Sequence, residues 1–360
     1  MTGFMSSARA GGTNPSGPVA YGMLTTQNDP ARSIVIFTDP GHVAAKVLLP
    51  VLVDALSRET RLECVFICIP DGMPYWRQRC SWHLERARRR LQILAGTGRW
   101  ERTLGLRPLH PGRLARRAGI EIVCLPDGNP NHASLAERLA RTSGNLVGIN
   151  LYCIHRFREP LLSFFDGIVN YHNGRLPDYR GLRASNWSIY GRAPTSGFSF
   201  HWIDAQIDTG SVLISGEVDV KAYDTPSELE LRKTQAAAGC ICAVIRAITD
   251  RDPGQPQRRI ACVHNRLAFE LATRVEDPSM LSREEWIRRL RAFLRIETLI
   301  DGHWWPITGL AERQANARLH FLSADGQDLM VTSLDFWPVG WTYHRRTGRS
   351  LHRSSDCHAN

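Results

Sequence analysis

Apolar runs and amphipathic stretches alternate along the first two thirds of the chain. Residues 33–38 form a β-branched run that ends at Asp39-Pro40-Gly41, and an apolar helical pattern follows over 43–56. This order predicts a strand, a tight turn and a helix. Further apolar runs predict strands at 62–69, 120–125, 145–151, 167–171, 198–203 and 212–220. The alternation predicts an α/β fold with an open, mostly parallel, Rossmann-like sheet that is covered on both faces.

Two capping boxes mark the starts of predicted helices. Thr225-Pro226-Ser227-Glu228 places a proline at the first helical position and predicts a helix that continues to about residue 248. Residues 282–285 form the second box and open a basic helix over 284–293. Shorter helical patterns cover 135–142 and 160–165.

Composition divides the chain into segments. Residues 1–30 are predicted to be a disordered leader, and their Gly/Ser-rich start lacks the apolar stretch of a signal peptide. Residues 31–250 form the predicted main domain, and the arginine-dense stretch 76–117 is an insertion within it. Residues 251–257 are a linker by composition. Strand-like runs after the linker predict a smaller, β-rich C-terminal domain over 258–350, with a tail from His352 onward.

The composition fits a soluble protein. Hydrophobic residues make up 43% of the chain and charged residues 22%, and no apolar run reaches the roughly 18 residues that span a bilayer. The nine cysteines include no CxxC pair, which favours a reducing, cytoplasmic setting without a metal site. We predict no membrane association, and a homodimer remains an open alternative.

The net charge of +10 leaves two interpretations open. Lysine occurs only three times, so arginine supplies 42 of the 45 basic residues. An excess of positive charge fits an acidic partner, such as a nucleic acid or a nucleotide-linked substrate. Alternatively, most of these arginines simply occupy solvated positions.

The residues with the clearest chemical potential lie between 167 and 213. Asn170 and His172 stand two apart near the end of a predicted strand, so both side chains point to one face. In an open α/β sheet, ligands bind beyond the carboxyl ends of the strands. An asparagine amide and an imidazole there suit an oxyanion, and the carboxylate of Asp208 can stabilise the imidazolium or relay a proton. This set fits acyl transfer through a tetrahedral intermediate.

Each part of this pattern also has a simpler interpretation. An Asn-x-His pair at a strand end is often only a satisfied polar pair, and His201 fits a core histidine. The string Asp208-Thr209-Gly210 is a turn signal and, in other folds, an aspartic-protease motif. The order and spacing of all the parts together therefore decide the interpretation.

Taken together, the strings NYHNGRLPDYRG and FSFHWIDAQIDTG resemble the folate-dependent formyltransferase superfamily. That superfamily includes methionyl-tRNA formyltransferase, glycinamide ribonucleotide formyltransferase and the sugar N-formyltransferases. Its pattern is Asn-x-His, a loop that ends Leu-Pro-x-Tyr-Arg-Gly, a helix, a strand and an Asp-x-Gly turn. The clear resemblance covers about 145–220, and it implies the formyltransferase fold and a one-carbon transferase that needs no metal.

The resemblance implies a role for each matching residue. Asn170 and His172 would polarise the formyl carbonyl, and Asp208 would tune His172 and assist proton transfer. The formyl donor would be 10-formyltetrahydrofolate, in a cleft lined mostly by backbone. The cofactor-binding residues implied for that cleft are His155, Arg156, Phe157, Arg158, Asp204, Ala205, Gln206 and Ile207.

The acceptor is predicted less directly. Arg175 stands where relatives carry an apolar residue, and either contacts the acceptor or is solvated. We favour the amine of a small molecule, such as an amino sugar, a hydroxyornithine-type compound or a secondary-metabolite intermediate. Methionyl-tRNA formylation is the alternative, with tRNA as the less favoured partner. A lesser alternative is a descendant of the fold that is non-catalytic or that hydrolyses the formyl donor.

Overall fold

A mostly parallel sheet forms the centre of the computed structural model, which describes residues 32–71, 106, 109–142, 144–258, 263–300, 302–310, 319–333, 343–346 and 349–353. The predicted leader and most of the arginine-rich insertion lie outside these residues. The first eight strands are β1 (Arg32–Thr38), β2 (Leu62–Pro70), β3 (Glu121–Leu125), β4 (Leu146–Leu151), β5 (Phe165–His172), β6 (Arg180–Gly181), β7 (Thr195–Trp202) and β8 (Val212–Asp219).

The strand order in the central sheet is β3-β2-β1-β4-β5-β7-β8. The strands from β3 to β5 pair in parallel, whereas β7 and β8 join by antiparallel pairing. The predicted open, mostly parallel sheet is therefore confirmed. Because β1, β4 and β5 are parallel neighbours, their carboxyl ends lie along one edge, where the candidate residues of β5 also lie.

Helices cover both faces of this sheet. They are α1 (Val43–Leu56), α2 (Pro111–Ala118), α3 (Ala133–Leu139), α4 (Ala184–Tyr190), α5 (Pro226–Ala238) and α6 (Ile241–Thr249). One core cluster joins Ile34 and Tyr171 to residues of α1, α2, α5 and α6. A second cluster joins Phe37 and Ile168 to α3. Apolar side chains at alternate strand positions are thus buried against helices on both faces of the sheet.

The predicted helix over 226–248 is instead two helices. The Thr225–Glu228 capping box is present as predicted, with Thr225 Oγ1 accepting from the Glu228 amide. Gly239 then ends α5, and Cys240 precedes α6. The break lets α6 pack its own apolar face, including Ile241 and Ile245, against the first core.

A second sheet follows the first. Its elements, after the short β9 (Val263–His264), are α7 (Arg266–Thr273), β10 (Arg274–Val275), α8 (Arg283–Phe293), β11 (Ile296–Ile300), β12 (His303–Leu310), β13 (Leu319–Leu322), β14 (Asp328–Ser333), β15 (Tyr343–Arg346) and β16 (Arg349–Arg353). Strands β10 to β16 form one sheet, with Trp286 of α8 fully buried against it. The predicted tail from His352 is wrong at its start, because β16 extends to Arg353. The domain boundaries at 250 and 258 stay predictions.

The two sheets are joined through α4 and α8. Asn186 Nδ2 donates to the Ala292 carbonyl at 2.8 Å. The rings of Trp187 and Phe293 pack edge to face at 5.2 Å. Tyr190 donates a hydrogen bond to Glu285. Hydrogen bonds and aromatic contacts between α4 and α8 therefore connect the second sheet to the first.

The predicted linker 251–257 packs against β8. Gln255 and Val212 exchange backbone hydrogen bonds of 2.8 and 2.9 Å, and the Trp202 indole donates to the Asp252 carbonyl. A composition rich in proline and glycine marked this segment as a connection, but its backbone is ordered by these bonds.

Candidate active site

Asn170 is fixed near the carboxyl end of β5 by its neighbour on β4. Asn150 and Asn170 are paired in register, and Asn150 Nδ2 donates to Asn170 Oδ1 at 2.8 Å. The Asn150 Oδ1 atom accepts from the Cys153 amide, which anchors Asn150 itself. This orientation turns the Asn170 Nδ2 group, with its two protons, away from β4.

His201 lies opposite Asn170 on the antiparallel strand β7. Its Nδ1 is 2.8 Å from the Trp202 carbonyl, which can only accept, so Nδ1 carries the proton. The Nε2 atom then accepts from Asn170 Nδ2 at 3.0 Å. The sequence interpretation of His201 as a core histidine describes its burial, with 2% exposed, but misses its contact with the candidate site.

His172 lies at the end of β5, two residues beyond Asn170 and almost buried. Its Nε2 donates to the Tyr179 carbonyl at 2.6 Å, and its Nδ1 faces Asp208 Oδ2 at 3.5 Å. Burial lowers the pKa of His172, whereas the charge of Asp208 and the Tyr179 contact act in the opposite direction. The imidazole is therefore neutral at neutral pH, with a carboxylate close enough to stabilise its protonated form.

Asp208 faces both histidines from the turn between β7 and β8. Its carboxylate accepts from the Gly181 amide at 2.8 Å and lies 3.5 Å from His201 Nε2. Burial alone would raise the pKa of Asp208, but attraction to His172 and His201, which are protonated at the low pH where a carboxyl titrates, and the hydrogen bond from Gly181 hold it well below its ordinary value. The structure thus brings the three predicted catalytic residues together, with His201 and Asn150 added.

Asp208 has a φ of +53°, which a non-glycine residue adopts only at a cost. The following Gly210 is packed so closely that a Cβ would overlap the Trp202 carbonyl oxygen. The Asp208 φ angle is costly and Gly210 is tightly packed, so contacts with the surrounding residues must hold the turn in this conformation.

The two predicted folate-binding segments lie next to each other. The Arg156 guanidinium donates to the Ala205 carbonyl at 2.6 Å, and His155 Nε2 donates to the Asp127 carbonyl. The Ile207 side chain is half exposed, and Ile154, just before the first segment, is mostly exposed. Backbone polar groups beside exposed apolar side chains suit a flat heteroaromatic ring system.

Not every residue of those segments faces the cleft. Phe157 is buried in the second core, where its ring packs edge to face on Phe37 at 5.0 Å. The Arg158 amide donates to Asn131 Oδ1, and Asp204 Oδ1 accepts from Gln206 N and Thr209 Oγ1. These residues shape the two segments through local bonds.

Arg175 contacts a carboxylate on the neighbouring strand β8. It forms an ion pair with Glu217 of β8, and both side chains are partly exposed. The two predicted roles of Arg175, contact with the acceptor and simple solvation, both stay predictions.

No helix in the described ranges is long and apolar enough to cross a membrane. In the same ranges, no group of three or more His, Cys, Asp or Glu side chains is arranged to hold a metal ion.

A mostly parallel sheet with Asn, His and Asp side chains at its carboxyl edge is the arrangement that the sequence resemblance implied. Residues 157–245 match the family described as "Formyl transferase". The resemblance is therefore confirmed over this segment, which is about a quarter of the chain. The matched segment contains Asn170, His172, His201 and Asp208.

Curated relatives match a short part of the chain. GDP-perosamine N-formyltransferase of Brucella melitensis is 35% identical over 91 residues, which cover 25% of this chain and 35% of the relative. Methionyl-tRNA formyltransferase of Methylacidiphilum infernorum is 34% identical over 92 residues, which cover 25% of this chain and 29% of the relative. The match thus spans about a third of the length of these relatives.

A solved structure shares the fold over a longer stretch. The N-formyltransferase from Helicobacter canadensis, in complex with folinic acid and dTDP-3-aminofucose, matches with a TM-score of 0.50. The match covers 84% of this chain and 99% of that chain, with 14% sequence identity. It supports the fold, including the region of the second sheet.

Proposed function

We propose that this protein transfers a formyl group from 10-formyltetrahydrofolate to the amine of a small molecule, with an amino sugar as the favoured acceptor class. The observation that carries the proposal is the convergence of Asn170, His172 and Asp208 at one sheet edge, within the segment that matches the formyl transferase family. A relative named GDP-perosamine N-formyltransferase supports the acceptor class.

In this proposal, Asn170 stabilises the oxygen that gains charge when the amine attacks. The contact with His201 uses one proton of its Nδ2 group, and the second is available for a substrate oxygen. A neutral amide donor held at both ends keeps its orientation during the reaction, which is the source of its effect.

In the transfer, the amine nitrogen bonds to the formyl carbon, the bond from that carbon to folate N10 breaks, and the proton that the amine loses passes through His172, stabilised by Asp208, to N10. The lowered pKa of His172 keeps the imidazole neutral and able to accept that proton. The carboxylate of Asp208, 3.5 Å away, stabilises the resulting imidazolium.

The folate would supply the formyl group and lie against the two segments around Arg156 and Ala205. These segments offer backbone carbonyl and amide groups with apolar side chains at their edge, and this chemistry fits a pterin ring.

The proposal is tested by incubating the purified protein with 10-formyltetrahydrofolate and a panel of amines. The panel contains nucleotide-linked amino sugars, hydroxyornithine and methionyl-tRNA, and both folate release and product mass are measured. Formylation of an amino sugar supports the proposal. Folate release without a formylated product indicates a hydrolase, and formylation of methionyl-tRNA alone supports the alternative acceptor.

A further inference from the structure

We propose that Gln257 is a positioning residue that holds Asp208 in place for formyl transfer, an inference that rests on the proposed function. Gln257 lies in the segment that composition assigns to a linker. Its side-chain amide nitrogen, Nε2, donates to the Asp208 carbonyl at 3.0 Å and to the Gly210 carbonyl at 2.8 Å. Both amide protons thus bind the turn that carries the carboxylate.

The turn requires such a clamp because its own backbone is not relaxed. Asp208 has a positive φ, and such a residue persists only where its surroundings enforce the conformation. Ile207, before it, is held through its carbonyl by Arg180 Nε and Nη2, at 3.1 and 2.7 Å. Gln257 holds the carbonyls on the other side, so the peptide groups flanking Asp208 are fixed from both directions.

The segment that carries Gln257 is itself anchored. Gln255 pairs with Val212 at the start of β8, and the Trp202 indole donates to the Asp252 carbonyl at 2.9 Å. The anchor points are thus the two strands that the Asp208 turn connects. This makes residues 252–257 a brace across the β7–β8 turn, with Gln257 as its contact to the turn's centre.

The carboxylate end of Asp208 is supported by the chain that follows the brace. Gly181 donates to Asp208 Oδ2, and Gly181 pairs in parallel with His264 of β9. The Leu182 amide also donates to the His264 carbonyl at 2.7 Å. Segments that follow β8 in the chain therefore support both the carboxylate and the backbone of Asp208. Within these segments, Gln257 contacts the Asp208 backbone directly through its side chain.

The test uses Gln257→Met, which keeps the length of the side chain and loses both donors, and Gln257→Glu, which places a carboxylate against two carbonyl oxygens. Gln255→Glu is the matched control, because the exposed Gln255 pairs with Val212 through its backbone. Misplacement of a reacting group by about 1 Å costs up to roughly 10²-fold in rate. We expect kcat to fall about ten- to a hundred-fold in both Gln257 variants, with the KM for folate nearly unchanged and kcat retained in the control.

A double-mutant cycle with Asp208→Asn shows whether Gln257 acts through Asp208. In the Asp208→Asn background, Gln257→Met should change kcat by less than about two-fold, because the group that it positions has lost its charge. A full additional loss in that background would overturn the inference and make Gln257 a general stability contact.

An activity-independent measurement separates this inference from the proposed function. Burial lowers the pKa of His172, and among its charged neighbours Asp208 raises it while His201 and Lys233 lower it. Displacing Asp208 should therefore lower the pKa of His172, as followed by NMR titration of the imidazole, in Gln257→Met but not in Gln255→Glu. An unchanged His172 titration in Gln257→Met overturns the inference, whether or not the wild-type protein transfers formyl groups.

Discussion

At the residue scale, the candidate site is a chain of oriented polar groups. Asn150 orients Asn170, Asn170 donates to His201, and Asp208 faces both His201 and His172. Each link is a buried or half-buried hydrogen bond or charge contact, so loss of one partner leaves another unsatisfied. The site is therefore prearranged in the protein before substrate binds.

Replacing Asn170 with alanine should lower kcat by on the order of 10²–10³, because a donor to the developing oxyanion is lost. The measurement is steady-state formyl transfer with saturating folate. Asn145→Ala is the matched control, because the same substitution falls near the start of β4, at the opposite edge of the sheet. Full activity in Asn170→Ala would show that Asn170 is not in the catalytic site.

Replacing Asp208 with asparagine should lower kcat by on the order of 10² or more, with folate binding largely retained. Because the negative charge of Asp208 raises the pKa of His172, its loss should also move the acid limb of the kcat–pH profile to lower pH. The measurements are the pH profile of kcat and a binding titration with folinic acid. The control is Asp219→Asn, the same substitution at an exposed residue at the end of β8. An unfolded Asp208→Asn protein would instead assign Asp208 a structural role.

At the element scale, α5 carries a buried lysine behind the candidate site. Lys233 is fully buried, and its Nζ donates to the Asn173 carbonyl at 2.9 Å and to Ser196 Oγ at 3.3 Å. Asn173 directly follows His172, so this contact ties α5 to the end of β5. Burial lowers the pKa of Lys233 to about 7, with Glu230 opposing the shift.

This buried lysine makes stability depend on pH. The folded protein loses the Lys233 proton near pH 7 and the unfolded chain near 10.5, so between these values the unfolded state binds more protons and stability rises with pH. We expect urea unfolding of the wild-type protein to show this rise, with a slope of at most about 1.4 kcal/mol per pH unit from one proton.

The Lys233→Met variant should lack that component of the pH dependence, because it has no titrating group at the position. Lys221→Met, which removes an exposed lysine, is the control. Its free energy of unfolding should change with pH as that of the wild-type protein does. If Lys233→Met and the wild-type protein show the same change in stability from pH 6 to pH 10, Lys233 does not titrate in this range.

The elements also show what sequence can and cannot predict. Strands such as β1 and helix α1 were predictable because their apolar periods are local, and the Thr225 capping box carries its own signal. The end of α5 at Gly239 was not predicted, because the apolar pattern continues across it.

The candidate site follows the same rule. Asn170, His172 and Asp208 were found through a motif, whereas the contacts of His201 and Gln257 join residues 31 and 49 positions apart. Such contacts leave no local pattern, and the proline-rich composition around Gln257 favours a linker. Phe157 was placed with the folate segment by its neighbours in sequence, although its ring belongs to the core.

At the scale of the whole molecule, the net positive charge bears on the choice between the two acceptor classes. The net charge is +10, and several arginines of the described chain are paired with carboxylates, among them Arg175, Arg232 and Arg289. These pairs leave the net charge of +10 unchanged, so a salt titration of acceptor binding is the measurement that separates a polyanionic acceptor from a small one.

Because the favoured acceptor is a small molecule with few charges, we expect a weak salt dependence of acceptor binding. A protein that contacts six or more nucleic-acid phosphates loses roughly 10³ or more in affinity between 50 and 200 mM salt. For the favoured small acceptor, the acceptor KM should change by less than about ten-fold over that range. The measurement is acceptor KM at several salt concentrations, with excess tRNA as a competitor in parallel. A steep rise in KM, or inhibition by tRNA, would favour the tRNA acceptor.

The pairing of β9 with β6 has a consequence for dissecting the chain. His264 contributes backbone bonds to Gly181 and Leu182, and its ring stacks on Trp187 at 4.4 Å. A fragment truncated at the predicted boundary near 258 would retain every candidate catalytic side chain, yet lose the strand and the ring that support the loop donating to Asp208. The smallest fragment that keeps the candidate site fully supported is thus longer than the matched segment 157–245, and its C-terminal limit lies beyond β9.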